Sequence, residues 1–223
     1  MSEIKIESPL VDQVEAVRGN SAPAKVGVRM TEHPFLGQIV LRGKSSDTAF
    51  TAACAGVLGC EVPTTPNTYA EGQGVVIAWM GPTEWLVLVD GESTPAWLSA
   101  LRGALADVHA GVLDTSGGQT LISLEGPAAL DVLAKGSTLD LHPRVAPTGF
   151  CTRSLLAKSA MFVRVVEAGQ RFEIVVRRSF ADYLWQWLVD AGGEYGLAIQ
   201  PAESTLVLAG LQASAPPKTA TGA

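Results

Sequence analysis

The order strand–helix–strand–strand–helix–strand occurs twice along this chain of 223 residues, and this internal repeat most constrains the fold. In the first half, one helix is predicted from about Asp47, with Ser45 or Ser46 as its N-cap and Gly59 just beyond its end. A second helix is predicted from about residue 94. The strands predicted in this half are 38–42, 75–79, 85–89 and 109–114.

The second half repeats this order with one strand more than the first. Pro127 is predicted at the first position of a helix, where a backbone N–H would have no partner within the helix and its absence therefore costs nothing. A longer helix is predicted over 180–191, with Leu184, Trp187 and Leu188 on its apolar face together with Phe180. The strands predicted in this half are 120–125, 151–156, 160–166, 171–177 and 195–200.

Each half therefore predicts a βαββαβ, ferredoxin-like unit, and the whole chain an α+β fold of two tandem halves. We expect an N-terminal arm at 1–34, the first half at 35–116, the second half at 117–208 and a disordered tail at 209–223. The alternative of two unrelated small domains requires a coincidence in the order of all the elements.

The two central hairpins differ in polarity. In the predicted strand 171–177, apolar residues alternate with Arg171, Glu173 and Arg177, so one face of that sheet is expected to be exposed to water. In 85–89 every residue is apolar, and both faces need a cover. That cover is either the other half of the chain or another chain.

Composition narrows the function classes. The formal net charge is −6 and only 17% of residues are charged, which argues against a general nucleic-acid or anionic-membrane binder. A mean hydropathy of +0.24 is high for a lone soluble domain and suggests a protein partner. We find no apolar stretch long enough for a membrane span and no secretory signal. The three cysteines favour a cytoplasmic location.

Metal-binding spacings are missing from the sequence. His33, His109 and His142 are far apart, and Cys54 and Cys60 are separated by five residues, which is not a zinc pattern. The third cysteine, residue 151, has no histidine near it in a ligand spacing. Core thiols and surface imidazoles are the expected roles.

Cofactor and nucleophile motifs are missing as well. Gly72-Gln73-Gly74 follows a loop, and Gly117-Gly118 precedes a strand, so neither has the context of a dinucleotide or phosphate loop. No G-x-S-x-G elbow occurs. We therefore expect no catalytic, cofactor-binding or metal-binding residue in this chain.

Two local features allow both a structural and a functional interpretation. The carboxylate and hydroxyls of Asp114-Thr115-Ser116 either cap a turn or bind a ligand amine. Trp185 lies off the predicted apolar face of its helix, so it is either an interface anchor or a ring covered by a neighbouring loop.

The residues resemble a known family. The run Leu113-Asp-Thr-Ser-Gly-Gly-Gln-Thr-Leu-Ile-Ser-Leu-Glu-Gly-Pro-Ala-Ala-Leu-Asp-Val-Leu133, with Thr138-Leu-Asp-Leu141, resembles the folate-binding fold of aminomethyltransferases such as the glycine-cleavage T-protein. More narrowly, Leu58-Gly-Cys-Glu-Val-Pro63, Pro66-Asn67 and Gly81-Pro-Thr-Glu-Trp-Leu86 resemble the gamma-subunit family of heterotetrameric sarcosine oxidases. The resemblance covers about residues 35–207.

This resemblance implies a complex of alpha, beta, gamma and delta chains in the bacterial cytoplasm. Such a complex oxidises sarcosine to glycine, forms hydrogen peroxide and can pass the one-carbon unit to tetrahydrofolate. The family places FAD, FMN and NAD on the alpha and beta chains and zinc on delta, and it assigns no catalytic residue to gamma. The chain is shorter than true aminomethyltransferases, which have a further C-terminal barrel.

We accordingly expect a structural, non-catalytic gamma subunit of a sarcosine oxidase, docked mainly on the large alpha chain. Its docking surfaces would be the apolar ones, and the solitary chain would aggregate or self-associate. Two alternatives remain open at this point. One is a stand-alone folate-dependent aminomethyltransferase-like protein, and the other is the equivalent subunit of a related N-methyl amino acid dehydrogenase.

Overall fold

The computed structural model describes residues 7–16 and 23–200 and contains both helices and strands. The strands are β1 (Val28–His33), β2 (Gly37–Arg42), β3 (Tyr69–Gly72), β4 (Val75–Gly81), β5 (Glu84–Val89), β6 (Gly111–Asp114), β7 (Gln119–Glu125), β8 (Cys151–Leu156), β9 (Ser159–Glu167), β10 (Arg171–Arg177) and β11 (Leu197–Gln200). The helices are α1 (Val11–Ala16), α2 (Thr48–Leu58), α3 (Thr94–Ala104), α4 (Ala129–Ala134) and α5 (Arg178–Gly193).

The chain divides into two compact units. One, here called the six-stranded unit, comprises the described residues 7–16, 23–35, 118–148 and 153–200. The other, the five-stranded unit, comprises residues 36–117 and 149–152. The predicted tail at 209–223 and the end of the predicted second half at 201–208 lie outside the described residues.

The five-stranded unit contains an antiparallel sheet in the order β3-β4-β5-β2-β6. Within it, β6-β2-β5-β4 is the ferredoxin-like order predicted from the first half of the sequence. Strand β3 was not predicted, because its four residues are only partly buried and follow a Pro/Thr/Asn-rich loop. In the core of the five-stranded unit, α2 and α3 pack on one face of the sheet. The buried residues of this core include Ile39, Leu41, Phe50, Cys54, Leu58, Ile77, Trp85, Val87, Trp97 and Leu101.

Helix α2 begins one residue later than the predicted caps allow. Asp47, not Ser45 or Ser46, is the N-cap, because its Oδ1 accepts hydrogen bonds from the N–H of Ala49 (2.9 Å) and of Phe50 (3.4 Å). The helix ends at Gly59 as predicted, where φ is 67°. This left-handed conformation favours glycine because it has no Cβ.

Trp85 links two of the segments that carry the family resemblance. Its ring is fully buried, and its Nε1–H donates to the carbonyl oxygen of Pro63 at 2.7 Å. The ring centroid also lies 5.2 Å from that of Phe50 on α2. The motif tryptophan therefore fixes the loop after α2 against β5.

The six-stranded unit has the sheet order β11-β1-β7-β10-β9-β8. Strand β1 is antiparallel to β7, whereas β11 is parallel to β1. The interpretation of residues 1–34 as an arm is therefore wrong for Val28–His33, which form an internal strand. The predicted closing strand at 195–200 also pairs with β1 rather than with β7, because β1 already occupies the edge of β7.

Both faces of the hairpin strand β5 are buried within the single chain. Trp85 and Val87 face the helices, and Leu86 (3% exposed) and Leu88 (0%) face the opposite side. The expectation that this hairpin offers an apolar docking surface to another subunit is therefore wrong.

None of the five helices in the described residues has both the length and the apolar character needed to cross a membrane.

Candidate functional site

A row of polar side chains crosses the sheet of the six-stranded unit. Register places Thr31, Ser123, Glu173 and Arg164 side by side on β1, β7, β10 and β9. Because side chains two apart on a strand share a face, His33 and Arg171 lie on the same face as this row. We call these six residues the polar row and treat it as the candidate site.

The centre of the polar row is a buried ion pair. The Nε–H of Arg164 donates to Oε2 of Glu173 at 2.5 Å, and both side chains have no exposed surface. Arg171, whose side chain is 22% exposed, places Nη2 3.8 Å from Oε1 of the same carboxylate. Glu173 thus lies between two guanidinium groups, which offsets the cost of burying its charge.

His33 lies at the β1 end of the polar row in its neutral form. Its Nε2 is 2.9 Å from Oγ of Ser123. Burial and, to a smaller extent, the positive charges of Arg171 and Arg164 together lower the pKa of His33 to about 4. At neutral pH this imidazole forms hydrogen bonds but carries no charge.

The prediction that one face of this sheet is exposed to water is therefore wrong. Glu173 is fully buried, and Val175 on the same face is 3% exposed. The alternation of charged and apolar residues in β10 was identified correctly, but it reflects a paired charge instead of a solvated one. An available signal was Arg164, a single cation within the otherwise apolar predicted strand 160–166, opposite Glu173 in a hairpin.

The other sheet face buries a carboxylate that the sequence analysis also missed. Glu32 is 2% exposed, and its Oε1 accepts hydrogen bonds from Oγ of Ser8 (2.5 Å) and Oγ1 of Thr120 (2.8 Å). Burial raises the pKa of Glu32, and the two hydroxyl donors only partly oppose that shift. Leu10, next to this contact, is fully buried, so the segment that includes α1 is held on the six-stranded unit.

The Asp114-Thr115-Ser116 segment forms a turn. Oδ1 of Asp114 accepts from the N–H of Ser116 at 2.9 Å. Oγ of Ser116 accepts from the N–H of Gln38 at 2.9 Å, and Thr115 donates to the carbonyl of Gln38 through both its N–H and its hydroxyl. The capping interpretation is confirmed, because these polar groups bind the end of β2.

All three cysteines are free thiols with structural surroundings. Cys54 lies in the core of the five-stranded unit, where burial raises its pKa to about 12. Burial and the negative charges of Glu61 and Glu71 raise the pKa of Cys60. Cys151 is buried and donates to the carbonyl of Thr68 at 3.2 Å. The two thiols with raised pKa values are poor nucleophiles.

Metal ligands do not gather in the part of the chain that the structure describes. Over residues 7–16 and 23–200, no three side chains of His, Cys, Asp or Glu form a cluster. His109 and His142 lie apart from His33 in sequence and belong to no such group. The donor set of these residues does not fit a zinc site.

The glycine pairs occupy turns. Gly72 closes β3, where a Cβ would lie 2.4 Å from the carbonyl oxygen of Leu58. Gly74 (φ 76°) and Gly117 (φ 79°) have left-handed backbones in the turns before β4 and β7. None of these turns leads directly into a helix, so they do not present the amide groups that bind a pyrophosphate.

The structure reverses the order of burial predicted for the two tryptophans of α5. Trp185 is 1% exposed, whereas Trp187 is half-buried with its ring against Gly136. The buried side of the helix consists of Ala181, Leu184, Trp185, Leu188 and Ala191. Trp185 is therefore a core residue and not an interface anchor.

A shallow groove of about 530 Å³ is also present in the six-stranded unit. The side chains with polar groups in its lining are those of Lys25, Glu194 and Tyr195, and glycine, proline and alanine form the rest. Lys135 pairs with Glu194 and lies 4.6 Å from the ring centroid of Tyr195. These contacts satisfy the charges at one side of the groove within the chain.

Comparison with known proteins gives a consistent result. A model described as the sarcosine oxidase gamma subunit family matches residues 42–194. The sarcosine oxidase subunit gamma of Corynebacterium sp. (strain U-96) is 33% identical over 193 residues, covering 86% of this chain and 92% of that protein.

Solved structures agree with that match. A chain of the heterotetrameric sarcosine oxidase from Corynebacterium sp. U-96, solved in complex with pyrrole 2-carboxylate, has a TM-score of 0.77 and 30% identity, with 86% of this chain and 97% of that chain covered. The aminomethyltransferase T of the glycine cleavage system from Bartonella henselae has a TM-score of 0.62 at 13% identity and shares the fold. The match covers 87% of this chain and 59% of that protein.

Proposed function

The chain belongs to the sarcosine oxidase gamma subunit family, and on that premise we propose that it is the structural gamma subunit of a heterotetrameric sarcosine oxidase. The complex would oxidise sarcosine to glycine with formation of hydrogen peroxide and 5,10-methylenetetrahydrofolate. The gamma chain would support assembly, and the chemistry would take place on other subunits.

The single observation that carries the structural role is the internal use of the polar row. Glu173 is bound by Arg164 and approached by Arg171, and His33 is held against Ser123. A catalytic group needs a polar atom directed at a substrate, whereas Nε of Arg164 and Oε2 of Glu173 are directed at each other, as are Nε2 of His33 and Oγ of Ser123. The row therefore supports the pairing of β1, β7, β10 and β9 and the specificity of their register.

The cofactors are proposed to lie on the partner chains. In this assignment FAD, FMN and NAD belong to the alpha and beta subunits, zinc belongs to delta, and tetrahydrofolate binds outside gamma. The donor set of the described residues fits neither zinc nor a dinucleotide pyrophosphate. The large alpha chain is the proposed main partner. The free thiols are in keeping with a cytoplasmic location.

Co-expression tests this proposal. The chain is produced alone and together with sarcosine oxidase alpha, beta and delta chains from its own genome, and each preparation is analysed by gel filtration and by sarcosine-dependent oxygen uptake. We expect the chain to elute with the other three in an active fraction and to have no activity alone. Elution of this chain apart from an active complex of the other three would overturn its role in assembly. Turnover of sarcosine by the lone chain would overturn its non-catalytic, structural role.

The second candidate, a stand-alone folate-dependent aminomethyltransferase, has the fold shared with aminomethyltransferase T in its favour. The chain spans 59% of the length of that protein, so much of the longer enzyme has no counterpart here. Calorimetric titration of the isolated chain with tetrahydrofolate separates the two candidates. Micromolar binding would favour the transferase, whereas absence of heat under conditions where the chain is folded favours the structural subunit.

A further inference from the structure

Among the strands of residues 7–16 and 23–200, β6 lies at the edge of the five-stranded sheet with β2 on one side only. Thr115, directly after β6, donates its N–H to the carbonyl of Gln38 on β2. In an antiparallel pair the residues that bond to the neighbour alternate, so Gly111 and Leu113 also point their backbone groups at β2. The N–H and C=O groups of Val112 and Asp114 therefore point away from the sheet.

The side chains of β6 add an exposed apolar contact at the same edge. Val112 packs on the core beneath α3, so its neighbour Leu113 projects from the opposite face of the sheet. In register beside Leu113 lie Val40, which is half-buried, and then Leu86, which is 3% exposed. Leu113 itself is 48% exposed. Along this apolar row, exposure rises toward the edge at β6.

In the six-stranded unit, the strand that is equivalent to β6 has a further strand beside it. The strands β9-β10-β7-β1 of that unit correspond in order and direction to β4-β5-β2-β6. There β1, which corresponds in position to β6, carries one more strand, β11, in parallel register from Val28↔Leu197 to Thr31↔Gln200. In the described part of the five-stranded unit, the matching place beside β6 holds no strand.

We propose that the edge of β6 binds an extended segment of a partner subunit, which runs parallel to β6 as β11 runs parallel to β1. The segment pairs with the outward backbone groups of Val112 and Asp114 and places an apolar side chain beside Leu113. This inference rests on the proposed function, which supplies the partner.

Charge adds one requirement for the partner. The exposed guanidinium of Arg102 on α3 donates to the carbonyl of Val112 at 3.4 Å, so it covers the edge in the free chain. An incoming strand takes over that carbonyl and releases Arg102. A carboxylate beside Val112 on the partner segment would accept the released guanidinium, whereas the exposed carboxylate of Asp114 disfavours an acidic residue at the other end of β6, so the geometry favours an apolar segment with one acidic residue beside Val112.

Hydrogen exchange on the wild-type chain tests the inference without any substitution. The amide hydrogens of Val112 and Asp114 are followed in the free chain and in the complex with the alpha, beta and delta subunits. We expect exchange at least about tenfold slower in the complex at these two positions. Unchanged exchange in an assembled complex would overturn the proposed site and leave the proposed function intact.

Two substitutions with matched controls test the same edge. Val112→Pro removes an outward N–H, and Val112→Ala keeps that N–H while it shortens the packed side chain. Leu113→Arg blocks the apolar contact, and Leu155→Arg is its control on β8, where the leucine is 57% exposed. We expect V112P and L113R to lower affinity for the other subunits at least about tenfold, with V112A and L155R near wild type. Equal affinity in all four variants contradicts the site.

The other possible occupants give distinct results. If deletion of residues 201–223 speeds exchange at Val112 and Asp114 in the free chain, the occupant is this chain's own segment and the partner assignment is wrong. If the free chain is a dimer by light scattering and L113R makes it a monomer, the occupant is a second copy. Failure of the wild-type chain to assemble at all removes the proposed function and with it the partner.

Discussion

The two sheets bury their second faces by different chemistry. In the five-stranded unit, the face opposite the helices is mainly apolar: Val76, Ala78 and Leu88 are fully buried there, and Gln38, beside Leu88, is a buried polar residue without charge. In the six-stranded unit, the face that carries Arg164 and Glu173 is also buried, but its centre is an ion pair. The same strand order therefore accommodates both an apolar and a charged second face.

This difference separates two physical roles. Apolar burial is non-directional and contributes free energy roughly in proportion to area. A buried ion pair gains little net free energy, but it strongly penalises any register in which one partner is left alone. We infer that the apolar face mainly stabilises its unit, whereas the polar row mainly specifies how β9 and β10 pair.

The largest expected effect comes from breaking the ion pair on one side. Arg164→Leu leaves the buried carboxylate of Glu173 without its closest partner, and we expect a loss of about 3–5 kcal/mol in the free energy of unfolding, measured by urea denaturation. The matched control is Arg164→Leu combined with Glu173→Leu. The double variant should recover most of the loss, and a single variant within about 1 kcal/mol of wild type would contradict the role of the pair.

The apolar face of the five-stranded unit is tested by Leu88→Ala. This substitution leaves a cavity in a fully buried position, and we expect it to lower the free energy of unfolding by about 2–5 kcal/mol. Leu155→Ala, at a 57% exposed position, should stay within about 0.5 kcal/mol of wild type. Equal effects at the two leucines would show that the face containing Leu88 is not buried in solution.

His33 predicts a pH dependence confined to the six-stranded unit. The pKa of His33 is about 4 in the folded chain against an ordinary value of 6.5, so the unfolded chain binds its proton first as pH falls. The free energy of unfolding should therefore decrease from about pH 6.5 down to about pH 4, by up to about 3 kcal/mol from this group.

His33→Gln is the control for that pH dependence, because it retains a polar side chain beside Ser123 and does not titrate. The difference between wild type and H33Q isolates His33 from Glu32, whose raised pKa makes stability fall as pH rises above about 4.5. If wild type and H33Q have parallel stability curves between pH 4 and 6.5, the imidazole does not change its charge as described.

The smallest expected effect concerns the cap of α2. Asp47→Ala removes the acceptor for two amide groups, and we expect a loss of about 1 kcal/mol in the five-stranded unit, read from thermal or urea unfolding. Ser46→Ala, at an exposed position just before it, should change stability by less than about 0.5 kcal/mol. A larger loss of stability in S46A than in D47A would show that Ser46, one of the two serines predicted from the sequence, is the N-cap.

The sequence predicted best those elements whose signals are local. Strand β2, helix α2 with its glycine stop, and strand β5 follow from short runs of apolar residues and their turns. Strand β1 was missed because Val28–His33 mixes charged and apolar residues and acquires its partners, β7 and β11, only through long-range pairing. Such pairing leaves little trace in a single sequence.

The site shows a similar limit. The charged residues of β10 are visible in the sequence, but their own strand does not distinguish a solvated glutamate from a buried one, and the signal lay in Arg164 of the neighbouring predicted strand. For α5, the 3.6-residue period identified an apolar helix and yet assigned the wrong tryptophan to the core. The helix is apolar on more than one side, with Phe180 44% exposed and Trp185 buried, so periodicity alone did not fix its rotation.

Native mass spectrometry of the co-expressed alpha, beta, gamma and delta chains tests the central claim most directly. We predict an active assembly whose mass equals one copy of each chain, with this chain as the gamma subunit, and a loss of that assembly when this chain is omitted. An equally active three-chain assembly formed without it would contradict the account.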